Sequence, residues 1–213
     1  MNQRNFQKEL DRIISEAEAS GRRPKLLLHA CCAPCSSYCL EYLCRTFDIT
    51  VLYGNSNIDD PEEYKKRRAE EQRLIAEMVP EVKFREGRYD PELFHRLVRG
   101  HELDPEGQER CGICFHMRLE EAARIAAEEG FDYFTTSLTI SPLKDAARIN
   151  GIGEEEAERS GSVWLPSDFK KKNGYRRSVE LSALYGLYRQ DYCGCSYSRR
   201  ERAEAVKNKQ SEE

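Results

Sequence analysis

The chain has 213 residues, 34% of them charged and 39% apolar, with a formal net charge of −4. That length buries a core as one domain, or as one domain with a small appendage, and the charge balance gives no sign by itself of a polyanion partner. No apolar run reaches membrane-spanning length and the N-terminus lacks a signal-type apolar core, so a cytoplasmic protein with no membrane partner is expected.

Phe6, Leu10, Ile13, Ile14 and Ala17 recur at helical spacing and predict an amphipathic helix ended by Gly21 and Pro24. Lys25–Ala30 is a short apolar run suited to a buried parallel strand, and Pro34 fits the first turn of the helix after it. Asp48–Asn55 reads as a second strand, left through Asn55-Ser56-Asn57. Asp60-Pro61-Glu62-Glu63 is a helix start with a capping Asp, a leading Pro and acids in the first turn. Val82–Phe84 is a short strand, Pro91–Arg99 a short helix, and Gly100–Arg110 a polar loop leading to Cys111. A helix is expected from Cys114 to Gly130, then a β-rich strand over Phe131–Ile140 and a short one at Val163–Leu165. The last third holds an acidic helix at 154–161, a basic loop at Asp168–Arg177, a helix at Ser178–Tyr185 and a charged tail that frays at its end. The alternation predicts an α/β fold with a Rossmann-like, doubly wound parallel sheet and a helical, metal-binding C-terminal part. Ligands of such sheets bind at the carboxyl ends of the strands, where Cys31–Cys35 and Thr139–Lys144 would share one edge.

Nine cysteines, an odd number in a reducing compartment, argue against a disulfide framework. Cys39 and Cys44 lie among Tyr38, Leu40, Tyr42 and Leu43 and read as packed thiols. The other seven fall into three tight groups: Cys31-Cys32-Ala33-Pro34-Cys35, Cys111-Gly112-Ile113-Cys114 and Cys193-Gly194-Cys195. Thiolates are soft ligands for zinc, copper(I) and iron–sulfur clusters. This mixture of spacings differs from the paired C-x-x-C of a zinc ribbon. A four-cysteine cluster would leave three thiols, the number of protein ligands that an open catalytic metal needs. Cys31 and Cys32 serve opposite sides if the backbone is extended and one centre if it turns. Cys193 and Cys195 suit either a strained, redox-active dithiol or a pair of metal ligands.

The segments HACCAPCSSY, RCGICFHMRLEEAA, TTSLTISPLKD, DFKKKNGYRRSVELS and YGLYRQDYCGC together resemble the cobalamin-independent epoxyqueuosine reductase (QueH) family. The match runs from Leu26 to about Ser198, with the first helix outside it. The resemblance implies two-electron reduction of the epoxide of epoxyqueuosine at the tRNA wobble position, on an adenine-nucleotide-hydrolase-like fold. It implies a 4Fe-4S cluster on Cys31, Cys32, Cys111 and Cys114, a reactive pair Cys193 and Cys195, and an electron donor of unspecified identity. Cys35, with Cys193 and Cys195, is then a candidate ligand of a second, mononuclear iron, and no cobalamin is needed. The expected division is a helical extension at 1–24, a catalytic domain at 25–198 and a charged tail at 199–213.

Lys170, Lys171, Lys172, Arg176 and Arg177 surround Asn173-Gly174-Tyr175, a combination suited to phosphate contact and base stacking on tRNA, and otherwise to a solvated charged loop. Asp191, Tyr192, His29 and His116 are candidate proton donors by their nearness to cysteines. The rival enzymes are a sulfonucleotide reductase, which leaves Cys193-Gly194-Cys195 unexplained, and a tRNA thiolase, whose pyrophosphate loop is replaced here by CCAPC. The non-enzymatic rival is a zinc-stapled RNA-binding module.

Overall fold

A computed structural model describes residues 4–210. Helix α1 (Phe6–Ser20) is capped by Asn5, which accepts from Lys8 N at 3.0 Å, and is ended by Gly21 at φ +67°. The chain then alternates through β1 (Lys25–His29), α2 (Ala33–Leu43), β2 (Asp48–Tyr53), α3 (Pro61–Met78), β3 (Lys83–Glu86), α4 (Pro91–Leu97), α5 (Glu109–Glu128) and β4 (Tyr133–Thr136). A 3₁₀ turn (Ser137–Ile140), α6 (Ala146–Ser160), α7 (Gly174–Leu184) and α8 (Ser196–Gln210) complete it.

The four strands are all parallel, in the order β3-β2-β1-β4. β1 therefore has its successor on one side and β4 on the other, and the reversal opens a crevice beyond the carboxyl ends of β1 and β4. Successive residues of β1 face opposite layers. Leu26 and Leu28 join Val51, Leu40, Leu74 and Leu181 on one side of the sheet. Leu27 joins Leu52, Leu119, Phe134 and Ile149 on the other. Both faces are covered, which is why the strand is an unbroken leucine run. Leu10 of α1 is buried in the first layer, so this helix is part of the core.

The expected α/β architecture is present, with several boundaries moved. The strand expected to reach Ile140 stops at Thr136, whose hydroxyl accepts from Leu138 N at 3.2 Å and turns the chain into the 3₁₀ segment. The helix expected from Cys114 already begins at Glu109, so Cys111 lies inside it. Val163–Leu165 is reduced to a single bridge, in which Phe134 N donates to Val163 O and Leu165 N to Phe134 O, with Pro166 ending the pairing. The last four residues of the basic loop are helical, since α7 starts at Gly174. No helix among the described residues is long and apolar enough to cross a membrane.

Candidate metal and redox site

β1 ends at His29 and the chain turns almost at once into α2, whose N-cap is Cys32. The Cys32 carbonyl accepts from Cys35 N and Ser36 N at 3.0 Å, and Pro34 stands in the first turn, where a missing amide costs nothing. This tight junction sets Cys31 Sγ 3.9 Å from Cys32 Sγ, and the sulfurs of Cys31, Cys32 and Cys35 lie within 4.8 Å of one another. Among the described residues it is the one group of three potential Cys, His, Asp or Glu ligands this close. Ser137, at the end of β4, accepts from Cys31 N at 3.1 Å and donates to its sulfur at 3.4 Å. Hydrogen bonding from Cys32 and then Cys35 holds the Cys31 thiol well below its ordinary pKa against the cost of burial, with help from the charges of Arg118 and Lys144. Cys32 and Cys35 are pushed up in turn, first by their bonds to Cys31.

The remaining four thiols line a second cavity, of about 110 Å³. Cys111 and Cys114 are one turn apart on α5 and so share a helix face. Gly107 N donates to Cys111 Sγ at 3.2 Å and Ser198 N to Cys195 Sγ at 3.4 Å. Burial raises Cys111 and pushes Cys114 and Cys195 up to about 12. Gly194 has φ +129°, and a Cβ there would stand 2.9 Å from Ile58 Cγ1, so only glycine fits between the two cysteines. Arg67 of α3 donates to Cys193 O at 3.1 Å, and Cys193 N donates to Ser198 Oγ at 3.1 Å.

Cys193 and Lys144 also border a larger cavity, of about 330 Å³, whose floor is Cys31, Cys32 and Cys35. The two thiol groups thus meet across a shared wall in the crevice beyond β1 and β4. A family model for epoxyqueuosine reductase QueH matches residues 26–201. The chain belongs to the epoxyqueuosine reductase QueH family. A Streptococcus pyogenes protein named epoxyqueuosine reductase QueH is 46% identical over 198 residues, covering 91% of this chain and 78% of that protein. A Staphylococcus epidermidis protein of the same name is 42% identical, covering 91% of this chain and 84% of its own length. One from Thermotoga maritima is 33% identical, covering 84% and 92% respectively.

Three cations complete the site in this QueH-family chain. Lys144 follows the 3₁₀ turn and borders both cavities. Burial opposes its charge, but the neighbouring Cys193, Cys31 and Cys35 more than offset this and raise its pKa. Arg118 is buried one turn beyond Cys114, and it donates to Asn55 Oδ1 at 2.6 Å and to His29 Nε2 at 3.3 Å. Arg67 is 1% exposed and donates to Glu63 at 2.7 Å. Lys144 lies within one of the matched segments, and Arg118 follows Cys114 at i+4, so both carried a signal. Arg67 resembled the solvated Lys65, Lys66 and Arg68 beside it, and its burial is a tertiary fact.

The sequence candidates for proton transfer separate. His29 is fully buried and neutral, its pKa pushed down to about 3 by burial and then by Arg118; the bond from Arg118 to Nε2 leaves the proton on Nδ1, 2.8 Å from Thr136 Oγ1. His116 bonds Glu156 at 2.8 Å on the α5–α6 side and borders neither thiol cavity. Asp191 and Tyr192 do line the larger cavity, with Asp191 also bound to Arg202 at 2.9 Å.

Most of the basic segment is engaged within the fold. Lys170 pairs with Asp168 and Lys172 with Asp11, each at 2.8 Å. Arg177 clamps Glu41 at 2.7 Å, and Arg176 meets Glu180 at 3.2 Å. Lys171 and Lys170 line a surface groove with Arg4 and Lys144, while Tyr175, 40% exposed, borders the larger thiol cavity.

Proposed function

We propose that this protein reduces the epoxide of epoxyqueuosine in tRNA to the alkene of queuosine, a reaction that takes two electrons and two protons and releases water. The observation that carries the reading is the convergence of seven thiols from three distant segments on two adjoining cavities at the switch point of a QueH-family sheet. The donor set fits an iron–sulfur cofactor, since the thiols are free, clustered and largely withdrawn from solvent. Cys31, Cys32, Cys111 and Cys114 would hold the 4Fe-4S cluster, with Cys193 and Cys195 as the reactive pair and Cys35 beside them as ligands of a second iron. Such a centre supplies electrons singly and offers an open metal position able to polarise an epoxide oxygen.

The proximity of Cys31, Cys32 and Cys35 supports a second division, three thiols for the open metal and Cys111, Cys114, Cys193 and Cys195 for the cluster. In both divisions the chain's own residues play the same parts. The larger cavity receives the modified base over Cys31–Cys35, and Lys144 directs its ammonium at the reacting oxygen. Tyr192 and Asp191 stand at the same wall to deliver protons.

The tRNA backbone is assigned to the segment carrying Lys170, Lys171, Lys172, Tyr175, Arg176 and Arg177, with Lys171 and Tyr175 presenting the groups least engaged in internal pairs. Catalysis is assigned to 25–198, with 1–24 as a helical extension and 199–213 as a charged tail, in the cytoplasm, where a separate donor supplies the electrons. The test is anaerobic purification with iron and sulfide quantification, then reduction of epoxyqueuosine-containing tRNA without cobalamin. The wild type is expected to turn over, and Cys111→Ala and Cys193→Ala to be inactive. Full activity in either variant overturns the site. Cys31→Ala separates the two divisions: loss of the cluster with second-site iron retained supports the first, and loss of second-site iron with the cluster intact supports the second.

A further inference from the structure

Two asparagines leave the end of β2, and they are used very differently. Asn55 is fully buried and spends both ends of its carboxamide, donating to Ala30 O at 2.9 Å and accepting from Arg118 at 2.6 Å. Asn57 is 1% exposed, yet its buried Oδ1 has no partner, and its side chain makes no hydrogen bond among the described residues. It lines the cavity of Cys111, Cys114, Cys193 and Cys195. Arg110, also 1% exposed, lines the same cavity, and its buried Nε–H has no partner. A desolvated amide and a desolvated guanidinium N–H are each costly without a partner, and native folds retain such groups where a ligand completes them.

We propose that Asn57 donates a hydrogen bond to the sulfur-rich occupant of this cavity and thereby raises its reduction potential, acting as a positioning and tuning residue. Half a turn of the carboxamide exchanges its oxygen and its NH₂ at no steric cost, so the group presents a donor to whatever acceptor lies inside. Thiolate and sulfide sulfur are acceptors, and a carboxamide oxygen set against them would be repelled. An N–H bond to cluster sulfur favours the more negative, reduced state, which is the sense of tuning expected of such contacts. The inference rests on the proposed reductase reading, and Cys111 and Cys114 line this cavity with Asn57 and belong to the cluster in either division of the thiols.

The test is a redox titration of the anaerobically purified holoenzyme, followed by electron paramagnetic resonance of the reduced cluster, on wild type, Asn57→Leu and Asn57→Asp. Leucine keeps the size and removes the donor, so the midpoint is expected to move negative; aspartate replaces donor by acceptor and is expected to move it further. Iron and acid-labile sulfide equal to wild type is the loading control, and if Asn57→Leu folds but does not load, Asn57→Asp decides. An unchanged or more positive midpoint in loaded variants overturns the role of Asn57 and leaves the reductase reading standing. Wild type without iron and sulfide overturns both.

Discussion

The two thiol groups are built by opposite means. Cys31, Cys32 and Cys35 are brought together by a strand-to-helix turn within five residues, on the central strand of a sheet covered on both faces. Cys111, Cys114, Cys193 and Cys195 come from α5 and from a loop far along the chain, held by side-chain contacts: Arg67 to Cys193 O, Ser198 to Cys193 N, and Arg110 to Glu201 at 2.6 Å and to Asp104 O. The first is as stable as the sheet. The second exists only while its fastenings hold, so substitutions far from sulfur should act on it selectively.

Arg67 is the strongest place to break that contrast, because it reaches from the layer beneath the first group to the backbone of the second. Arg67→Met leaves Glu63 poorly partnered and frees the Cys193 loop, with an expected loss of about 3 kcal/mol in chemical denaturation. Unaltered stability would mean that the second cavity does not depend on this tie.

Glu71 probes the first group from below. It is fully buried, accepts from Ser36 Oγ at 2.6 Å and leaves Oε2 unpartnered, and burial pushes its pKa up to about 8. The native state therefore keeps a proton that the unfolded chain loses near pH 4.5, so this group makes stability fall as pH rises from about 4.5 to 8. Glu71→Gln should remove that decline, a difference of up to about 1.4 kcal/mol per pH unit between the two proteins. Parallel stability–pH curves would refute it.

Lys171 lies outside both groups, in the groove with Arg4 and Lys144. Lys171→Glu should weaken tRNA binding a few-fold and flatten the plot of log affinity against log salt by about 0.7, the value for one lost single-strand phosphate contact. An unchanged slope would place the RNA elsewhere.

The smallest effect on stability is expected at Gly112, where an added Cβ would strike the Arg148 guanidinium. Arg148 would be displaced from Gly107 O and Gln108 O, now 3.1 and 3.0 Å away, while the helix gains from alanine, for a net change within about 1 kcal/mol. Gly107 donates to Cys111 Sγ, so metal retention should suffer more than melting. Equal retention would show that the α5 end of the cavity is stiffer than its contacts suggest.

How far the sequence foretold this follows the same division. The apolar run of β1, the Asp60 cap with Pro61, and Pro34 after the cysteines are local, and the sheet and the turn that carries the first thiol group were legible from them. The start of α5 was missed because Gln108 makes no side-chain cap and the polar run before Cys111 has no apolar period. Lys172 read as an RNA contact and Arg67 gave no local sign of burial, because Asp11 and Cys193 O, which engage them, lie more than a hundred residues away.

Chain order gives the second cavity a history. Its walls from α5 exist before the Cys193–Ser198 segment has been made, and Arg110 has no Glu201 to grip until α8 arrives. During synthesis the strand-end thiols can settle on a formed sheet, whereas the other four cannot meet until late. Biogenesis therefore has a natural interval in which the compartment stands open to whatever it is to receive, and the docking of α8 is the act that closes it.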